Sequence, residues 1–476
     1  MKKNIIKTLL LCSASLAAFG TSGCSKKNNV IYFWHTFGQT ITKNIQAQID
    51  SFEQIIKETE GVDINIELVA KSNYDTINDA INKGFSSANI PTIAVAYPDH
   101  VADYLKAEGS ESGKYVVNLQ DFIDSNELGF GKESWEPSKE GISDFVSTWI
   151  DEGRHFTKEG LYCFPYLKSS EVMFYNLTVL RRIMPLHDAT VVGDDAIKTY
   201  MNNLSWDGFI DLCQTVWKNK DKASSALLYP AFYDSDSNLF ISQLMQSNIG
   251  YSSVKDGKGV IDFKDGENRT NAEALVTKLA EAYQKHLLTT KGVTTTYGSD
   301  SFKKGESIFS IGSSGGSGYN FSTEFDIGVC KVPALNNNPL YVSQGVSLTI
   351  LNSPAYSNSV NEFKTKYAWK LLKYLTGAEN NATLCFKGSE GYMPVRETAY
   401  QTDIAIDFLT NSDYGTYGDT ANVVRDDIGD KYFSTACFPG SATLRDEVGN
   451  LITSALKGTD VKTAFDTAIN NALLKF

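Results

Sequence analysis

The sequence predicts an α/β fold, and three observations near its N-terminus carry that prediction. Val30–Trp34 is a short apolar run rich in β-forming residues. Hydrophobic residues then recur at steps of three or four, on one face of a helix, at Ile41, Ile45, Ile49, Phe52 and Ile56. After that helix, apolar and polar residues alternate in the manner of a strand, with Ile64, Ile66 and Leu68 on the apolar side.

The alternation of strand and helix continues along the chain. A helical stretch at Tyr74–Ser87 and a strand-like segment at Pro91–Ala96 complete a β-α-β-α-β pattern, which favours a largely parallel sheet. Farther on, helical segments such as Trp206–Lys218 alternate with strands such as Gly345–Leu351. The sequence shows no fixed-period repeat and no long low-complexity linker. We therefore expect two α/β lobes wound together.

The N-terminus has the order of a secretory signal: a positive start, a short apolar run over Thr8–Phe19 and small residues before Cys24. The run is too short to span a bilayer, which takes roughly 20 residues. Thr21-Ser22-Gly23-Cys24 resembles a lipobox, although Thr21 stands where leucine is usual. We predict a lipoprotein signal peptide at 1–23, a lipid on Cys24 and a tether at 24–29. An ordinary signal peptide with an incidental cysteine is the alternative.

Composition describes a globular protein and limits its partners. Charged residues make up 21% of the chain, hydrophobic residues 42%, and the net charge is -12. A negative chain lacks the basic surface that nucleic acids require, so we expect no nucleic-acid partner. The cysteines form no C-x-x-C pair and the histidines no metal-ligand spacing, which predicts no metal and no cofactor. An odd number of cysteines after Cys24 favours buried free thiols.

A glycine- and serine-rich segment, Gly312–Gly318, follows a predicted strand at Ser307–Ile311. It contains a G-x-S-x-G pattern around Ser314, which in some hydrolases holds the nucleophile. That arrangement needs a histidine later in the chain, and all five histidines precede Ser314, so we predict no catalytic residue. The segment is instead either a ligand loop, whose N–H groups and hydroxyls suit an anion or a sugar, or a plain surface turn.

Seven segments, in order, resemble extracellular solute-binding proteins of carbohydrate-type ABC importers (family 1), and most closely the members that bind glycerol 3-phosphate. The resemblance extends over the chain after Asn29. The segments are Ile31–His35, Lys71–Tyr74, Pro165–Ser170 with Tyr175-Asn176, Lys304–Ser314, Gly345–Leu348, Gly391–Pro394 and the helix start at Arg445.

The resemblance implies a periplasmic-binding-protein-like fold, with two α/β lobes, a hinge and a ligand cleft between them. The N-terminal lobe would comprise 30–165 and about 312–355. The C-terminal lobe would comprise about 166–311 and 356–476. No enzymatic activity is implied.

Carried over by position, the resemblance implies ligand contacts from six residues and a seventh by substitution. Arg445 would bind an anion, hydroxyls and aromatic rings would complete the site, and Gly345 would allow close backbone approach. The family's glutamate falls at or beside Pro98, so Asp99 would replace it. The family's tryptophan-bearing loop falls near Asp236 without a tryptophan. The predicted contacts are Tyr74, Ser169, Ser313, Gly345, Tyr392, Arg445 and Asp99.

These expectations describe an exported, membrane-anchored, monomeric binding lipoprotein facing the periplasm or the cell exterior. It would capture a small polyol-like solute, either glycerol 3-phosphate or a glycerophosphodiester, and deliver it to the membrane subunits of an ABC permease. A neutral sugar or oligosaccharide is the alternative ligand. A secreted glycan-processing enzyme or a structural lipoprotein are alternatives of another class.

Overall fold

The structure is a computed structural model that describes residues 29–87, 89–107, 114–137, 141–389, 391–429 and 431–476. The predicted signal peptide at 1–23 and Cys24 lie outside the described residues, as does the tether up to residue 28. Within the described ranges, no helix combines the length and the apolar character needed to cross a bilayer.

The strands of the described chain are short and distributed along its whole length. In chain order they are β1 (Val30–His35), β2 (Asn65–Ala70), β3 (Ile93–Ala96), β4 (Phe164–Ser169), β5 (Glu171–Asn176), β6 (Ala231–Tyr233), β7 (Ser252–Lys255), β8 (Lys258–Ile261), β9 (Leu288–Thr290), β10 (Phe309–Ser313), β11 (Ile327–Lys331), β12 (Tyr341–Val342), β13 (Gln344–Ile350) and β14 (Tyr432–Phe433).

Helices fill most of the segments between the strands. In chain order they are α1 (Gln39–Glu60), α2 (Tyr74–Ser87), α3 (Pro98–Ala107), α4 (Leu119–Ile123), α5 (Ser147–Glu152), α6 (Leu177–His187), α7 (Asp194–Asn202), α8 (Trp206–Lys218), α9 (Lys220–Ala223), α10 (Asp236–Gln246), α11 (Gly266–Gln284), α12 (Lys291–Thr294), α13 (Gly298–Lys303), α14 (Asn358–Leu375), α15 (Ala378–Lys387), α16 (Asp403–Thr410), α17 (Gly415–Asn422), α18 (Ser441–Leu456) and α19 (Val461–Leu473).

The first lobe is built on a five-stranded sheet in the order β2-β1-β3-β13-β4. Strand β1 pairs in parallel with β2 and β3, with Phe33 opposite Leu68 on one side and Ile93 on the other. This confirms the parallel pairing of the three N-terminal strands, but the sheet as a whole is mixed and not largely parallel as predicted. Strand β13 enters from much later in the chain and runs antiparallel to both β3 and β4.

The second lobe has its own five-stranded sheet, in the order β11-β5-β10-β6-β9. Strand β10 runs parallel to β6 and antiparallel to β5, so this sheet is also mixed. Its core is separate from that of the first lobe and includes fully buried Phe209, Phe309 and Phe465. The two lobes therefore each bury a sheet under their own helices.

The division into lobes differs from the predicted one in two places. Helices α14 to α17 pack on the core of the first lobe, where fully buried Trp369 stacks with Phe122 and meets Phe164 edge to face. Strand β11, which the prediction gave to the first lobe, belongs to the sheet of the second lobe, next to β5. The sequence shows that these segments have an apolar face, but which sheet that face covers depends on long-range packing.

Three chain crossings connect the lobes. The first is Ser170, the single residue between β4 and β5, and the second lies between β12 and β13. The third passes through β14, which pairs in parallel with β12 so that Val342 lies opposite Phe433. The hydroxyl of Ser170 donates to the carbonyl oxygen of Val342 at 2.9 Å, which fastens the first crossing to the second. The crossings thus lie side by side, as a hinge requires.

Candidate ligand-binding site

A cavity of about 730 Å³ lies between the two lobes. Strand ends and loops of both sheets form its floor, and α3 and α18 each contribute a charged residue. The first lobe contributes Tyr97, Pro98, Asp99, Glu152, Ser169, Gly345 and Tyr392, and the second contributes Glu171, Asp234, Asn238, Tyr297, Ser313, Tyr319, Asn320 and Arg445. Both lobes therefore contribute polar groups and tyrosine rings to the same space.

The structure brings the predicted ligand contacts together. Six of the seven line the cavity: Asp99, Ser169, Ser313, Gly345, Tyr392 and Arg445. Tyr74 stands one layer behind, because its ring packs against that of Tyr97, with the ring centroids 4.5 Å apart. Tyr97 itself lines the cavity and was not among the predicted contacts. That any of these side chains touches a ligand stays a prediction.

Ser169 and Ser313 meet because each is the last residue of a strand, one in β4 of the first sheet and one in β10 of the second. The hydroxyl of Ser313 donates to that of Ser169 at 3.2 Å. This hydrogen bond joins the two lobes at the floor of the cavity.

Gly345 has a structural role that the resemblance did not indicate. Its φ is +90°, and a Cβ atom built there would lie 2.1 Å from the carbonyl oxygen of Leu167 in β4. Only glycine fits this close pairing of β13 with β4. The close approach that requires a glycine is therefore made by the protein's own backbone.

The glycine- and serine-rich segment forms a short 3₁₀ turn at Ser314–Asn320 rather than the start of an α-helix. Ser314 is fully buried, and its N–H donates to the carbonyl oxygen of Ser170 at 2.8 Å. The N–H of Gly315 donates to Ser313 Oγ at 3.2 Å. The first two N–H groups of the turn therefore donate to acceptors within the protein. They are not available to an anion, so the turn is a poor anion-binding loop.

Arg445, on α18 of the second lobe, is held by three acceptors. Its Nε donates to Asp99 Oδ2 at 3.0 Å, one Nη to Asn238 Oδ1 at 3.1 Å and the other to Thr435 Oγ1 at 3.2 Å. The partner carboxylate lies on α3 of the first lobe, so this ion pair crosses the cleft. Asp99 is buried whereas the Arg445 side chain is 31% exposed. The guanidinium of Arg445, which was predicted to bind an anionic ligand, is thus already paired with the carboxylate of Asp99.

The charge state of Asp99 follows from this pair. Burial opposes ionisation of the carboxyl, but Arg445 and His100 outweigh it and hold the pKa of Asp99 below its ordinary value. Asp99 is therefore a carboxylate at neutral pH, and it neutralises the guanidinium. Asp99, which takes the place of the family's glutamate, therefore places a negative charge beside Arg445.

Glu171 and Asn238 extend this hydrogen-bonded chain into the second lobe. Asn238 Nδ2 donates to Glu171 Oε1 at 3.2 Å while its Oδ1 accepts from Arg445, and the hydroxyl of Tyr233 donates to Glu171 Oε2. Burial raises the pKa of Glu171 to about 7. A chain of contacts therefore runs from Asp99 through Arg445 to a carboxyl group that is partly protonated at neutral pH.

Asp234 is a second carboxylate with a perturbed pKa on the second-lobe wall. Its Oδ1 accepts from the N–H of Gly298 at 2.6 Å, at the start of α13. Burial raises the pKa of Asp234 to about 6, against a smaller lowering by that N–H and by Lys291. The carboxyl group of Asp234 is therefore mostly ionised at neutral pH. The Gly298 N–H and Lys291 offset only part of the free-energy cost of burying its charge.

Glu152 lines the cavity from the first lobe and forms a buried ion pair. Its Oε2 accepts from Lys168 Nζ at 2.5 Å and from the hydroxyl of Ser343 at 3.1 Å. Lys168 is fully buried in β4, and Ser343 lies in the second of the chain crossings, between β12 and β13. This pair is thus placed at the hinge and leaves no free charge in the cleft.

Two amide oxygens in the cavity wall have no hydrogen-bond partner among the described residues: Asn320 Oδ1 and Gln344 Oε1. Both atoms are buried, and a buried acceptor without a partner is unfavourable. Together with Asp234, they make the wall rich in acceptors. The cavity therefore suits a ligand that carries many hydrogen-bond donors.

Sequence reasoning missed Glu171, Asp234 and Asn238 as cleft residues. Asp234 directly follows β6 and Asn238 lies in the first turn of α10, and both side chains line the cavity wall. Asp236, where the family's tryptophan-bearing loop was expected, instead accepts from the hydroxyls of Thr290 and Thr453 and from the N–H of Gly292. The run of carboxylates and amides around Asn238 was the available signal.

The described part of the chain contains no group of three or more His, Cys, Asp or Glu side chains arranged to hold a metal ion. The cysteines are buried free thiols, as predicted: Cys163, Cys213, Cys330, Cys385 and Cys437. Cys437 is the one among these that lines the cavity.

The fold is similar to that of several solved structures over nearly its whole length. UgpB from Mycobacterium tuberculosis in complex with glycerophosphocholine has a TM-score of 0.65 at 14% identity, covering 93% of this chain and 97% of that one. The GacH receptor of Streptomyces glaucescens, solved unliganded and with acarbose, has a TM-score of 0.62 at 16% identity, covering 94% and 97%. Maltose-bound MalE3 of T. maritima has 0.65 at 14%, covering 94% and 99%.

At these identities the similarity shows the fold, which is the predicted periplasmic-binding-protein-like arrangement of two lobes. A search of curated proteins by sequence finds no match. The family profile described as bacterial extracellular solute-binding protein matches residues 47–408, which is more than half of the chain. The chain therefore belongs to the bacterial extracellular solute-binding proteins, a family of exported binding proteins rather than enzymes, as the sequence resemblance predicted.

Proposed function

We propose that this protein captures a polyhydroxylated, sugar-like solute outside the cytoplasm and delivers it to an ABC permease. The observation that carries the proposal is the internal ion pair of Arg445 with Asp99 in a cavity lined by hydroxyl, amide and carboxyl groups. A sugar or polyol supplies hydroxyl donors to such a wall. The tyrosine rings at Tyr97, Tyr319 and Tyr392 suit the apolar faces of such a molecule.

A small phosphate monoester is a poorer fit to this cleft than the sequence suggested. A phosphate monoester that reached Arg445 would lie beside the carboxylate of Asp99, which already pairs with the guanidinium, and near Glu171 as well. Like charges at such distances repel strongly in a partly desolvated site. Glycerol 3-phosphate, the ligand predicted first, therefore faces opposition from the protein's own carboxylates.

The size of the cavity also favours a larger solute. Its volume of about 730 Å³ corresponds to about 24 water molecules at ~30 Å³ each. Pockets for drug-sized ligands lie in the range of about 300–1,000 Å³. A disaccharide or a substituted polyol would fill such a space far better than glycerol 3-phosphate would.

A glycerophosphodiester is the second candidate, and the exposure of Arg445 favours it. The side chain is 31% exposed and uses three of its five N–H donors on Asp99, Asn238 and Thr435. The remaining donors can bind one oxygen of a singly charged phosphodiester without breaking the ion pair.

We expect the two lobes to close around the ligand when it is captured. A ligand that touches both walls stabilises the closed form by its differential affinity, and the crossings at Ser170 and beside β12 and β14 would act as the hinge. The closed form would then dock on the permease. A lipid on Cys24 would keep the receptor at the membrane, and the receptor would act as a monomer.

A thermal-shift screen, followed by calorimetry, tests the proposal. The panel would contain neutral mono- and oligosaccharides, polyols, glycerol 3-phosphate and glycerophosphodiesters. We expect a saccharide, a substituted polyol or a glycerophosphodiester to raise the melting temperature, and glycerol 3-phosphate to bind more weakly than the best of these. Tight binding of glycerol 3-phosphate alone, or of no polyhydroxylated solute, would contradict the proposal.

A further inference from the structure

We infer that the second-lobe wall around Asp234 is a subsite for a positively charged, ammonium-type group. The captured solute would then be a polyhydroxylated molecule that also carries a cation, such as an amino sugar or a choline-bearing glycerophosphodiester. The inference rests on the proposed function and narrows its ligand class. Its support is the charge, the burial and the open hydrogen-bonding positions of the cleft residues.

The charges that line the cavity do not balance. Among the described lining residues, one cation, Arg445, stands against five carboxyl groups: Asp99, Glu152, Glu171, Asp234 and Asp300. The pairs Asp99–Arg445 and Glu152–Lys168 cancel within each pair. The three remaining carboxyl groups all belong to the second-lobe wall. Asp300 lies 3.9 Å from Lys303 with both side chains substantially exposed, so that pair is weak.

Asp234 is the member of this group best placed to meet a ligand. Its Oδ1 accepts the N–H of Gly298, and its Oδ2 lies on the side of Gly312, where a built Cβ atom would be 2.7 Å away. Gly312 also lines the cavity. Among the hydrogen bonds of the described residues, none reaches Oδ2 from a protein donor. This oxygen is therefore open to a donor from the ligand.

Lys291 is the cation nearest to Asp234, and it does not fill this role. It lowers the pKa of Asp234 through space, but no ion pair within 4 Å joins the two side chains. Its ammonium instead lies 3.7 Å from the centroid of the Tyr297 ring. Tyr297 lines the cavity and is 51% exposed, and the Lys291 ammonium already occupies one face of its ring.

Asn320 provides an independent observation. The residue lines the cavity and is only 5% exposed, and its buried Oδ1 has no partner among the described residues. A buried amide oxygen needs a donor. Asn320 and Gln344 therefore each hold an unsatisfied buried acceptor in a residue that lines the cavity. An ammonium group supplies several donors and the missing charge at once, whereas a hydroxyl supplies one donor and no charge.

Matched probe pairs test the inference, because each pair shares a skeleton and differs in the cation. One pair is cellobiose with the corresponding disaccharide of glucosamine. The other is glycerophosphoglycerol with glycerophosphocholine. Calorimetry at about pH 7 should show that the cationic member of the accepted pair binds about ten-fold tighter or more. The two pairs also distinguish an amino sugar from a choline ester.

Substitution of the carboxylate assigns the effect to Asp234. In Asp234→Asn the affinity ratio between the cationic and the neutral member should fall toward one, because the amide keeps the acceptor for Gly298 but removes the charge. Asp211→Asn is the matched control, since Asp211 is exposed on α8, outside the cavity wall. Its ratio should equal that of the wild-type protein. An unchanged ratio in Asp234→Asn would overturn the inference.

Tetramethylammonium alone keeps the inference testable whatever skeleton the natural ligand has. Saturation-transfer NMR should detect its binding to the wild-type protein and a clear loss in Asp234→Asn with the melting temperature preserved. Equal signals in both proteins, or none in the wild type, would overturn the inference. If neutral solutes bind as tightly as their cationic partners, the cation subsite fails while the proposed function survives; if no polyhydroxylated solute binds, both fail.

Discussion

Arg445 on α18 and Asp99 on α3 form an ion pair that joins the two lobes, with Nε and Oδ2 3.0 Å apart. The same two lobes meet again nearby. Asp103 accepts from the N–H of Gly440 at 3.1 Å, and Lys106 Nζ donates to the carbonyl oxygen of Lys475 at 2.7 Å. These contacts join the two lobes along one side of the cleft and place an ion pair where the lobes meet.

Asp99→Asn should convert the cleft toward anion binding. The amide keeps the size of the side chain but releases Arg445 from its internal anion and removes one negative charge. We expect the affinity for glycerol 3-phosphate to rise about ten-fold or more, measured by calorimetry, because one charge-assisted hydrogen bond contributes about 1.5–3 kcal/mol.

Asp103→Asn is the matched control for that prediction. Asp103 lies one turn farther along α3 and accepts from Gly440 rather than from Arg445. Its substitution should leave the affinity for glycerol 3-phosphate within about two-fold of the wild-type value. Equal gains in both variants would mean that a general loss of negative charge, and not the release of Arg445, is responsible.

Binding of a ligand with a fixed positive charge should strengthen as pH rises from about 5 to about 8. Burial raises the pKa of Asp234 to about 6 and that of Glu171 to about 7, so both carboxyl groups lose protons within this window. Around Asp234, Lys291 and the N–H of Gly298 favour ionisation while Asp300 opposes it. Hydrogen bonds from Tyr233 and Asn238 and the charge of Arg445 favour ionisation of Glu171. The negative charge of Asp234 opposes it.

Glycerophosphocholine is the appropriate probe, because its own charge does not change over this range. Calorimetry at several pH values should show a rising affinity in the wild-type protein and a flatter profile in Asp234→Asn. A profile that falls with pH would contradict the assignment. For the ligand-free protein the sign is reversed: folded-state pKa values above the unfolded ones mean that these two groups lose stabilising free energy as pH rises from about 4 to about 7.

The sequence predicted the fold better than it predicted the chemistry of the site. Periodicity located α2 and α8 at their observed bounds, because local patterns determine where a helix forms. The family resemblance supplied six cavity-lining positions. It did not reveal that Asp99 would reach Arg445 across the cleft, since that contact joins residues 346 positions apart. Nor did it identify Glu171 and Asp234, whose pKa values depend on burial that only the folded structure provides.

The Glu152–Lys168 pair should be required for stability near the hinge. Both side chains are buried, with Nζ and Oε2 2.5 Å apart. Glu152→Ala leaves the ammonium of Lys168 without its anion, and we expect a loss of about 3–5 kcal/mol in the free energy of unfolding, measured with urea. The double variant Glu152→Leu with Lys168→Met should recover most of that loss, since an apolar pair leaves no buried charge. Equal losses in the single and double variants would show that packing rather than charge is responsible.

Cys24→Ser tests the proposed membrane anchor. If the sulfur of Cys24 carries the lipid, the serine variant cannot be acylated there, and the protein should shift from the membrane fraction to the soluble extracytoplasmic fraction. The ligand-binding part begins beyond the tether, with β1 at Val30, so the affinity of the released protein for its ligand should be unchanged in calorimetry. Cys12→Ser, within the predicted signal peptide, is the control and should leave the mature protein on the membrane. Retention of the Cys24→Ser protein on the membrane would show that a feature other than a lipid on Cys24 anchors it.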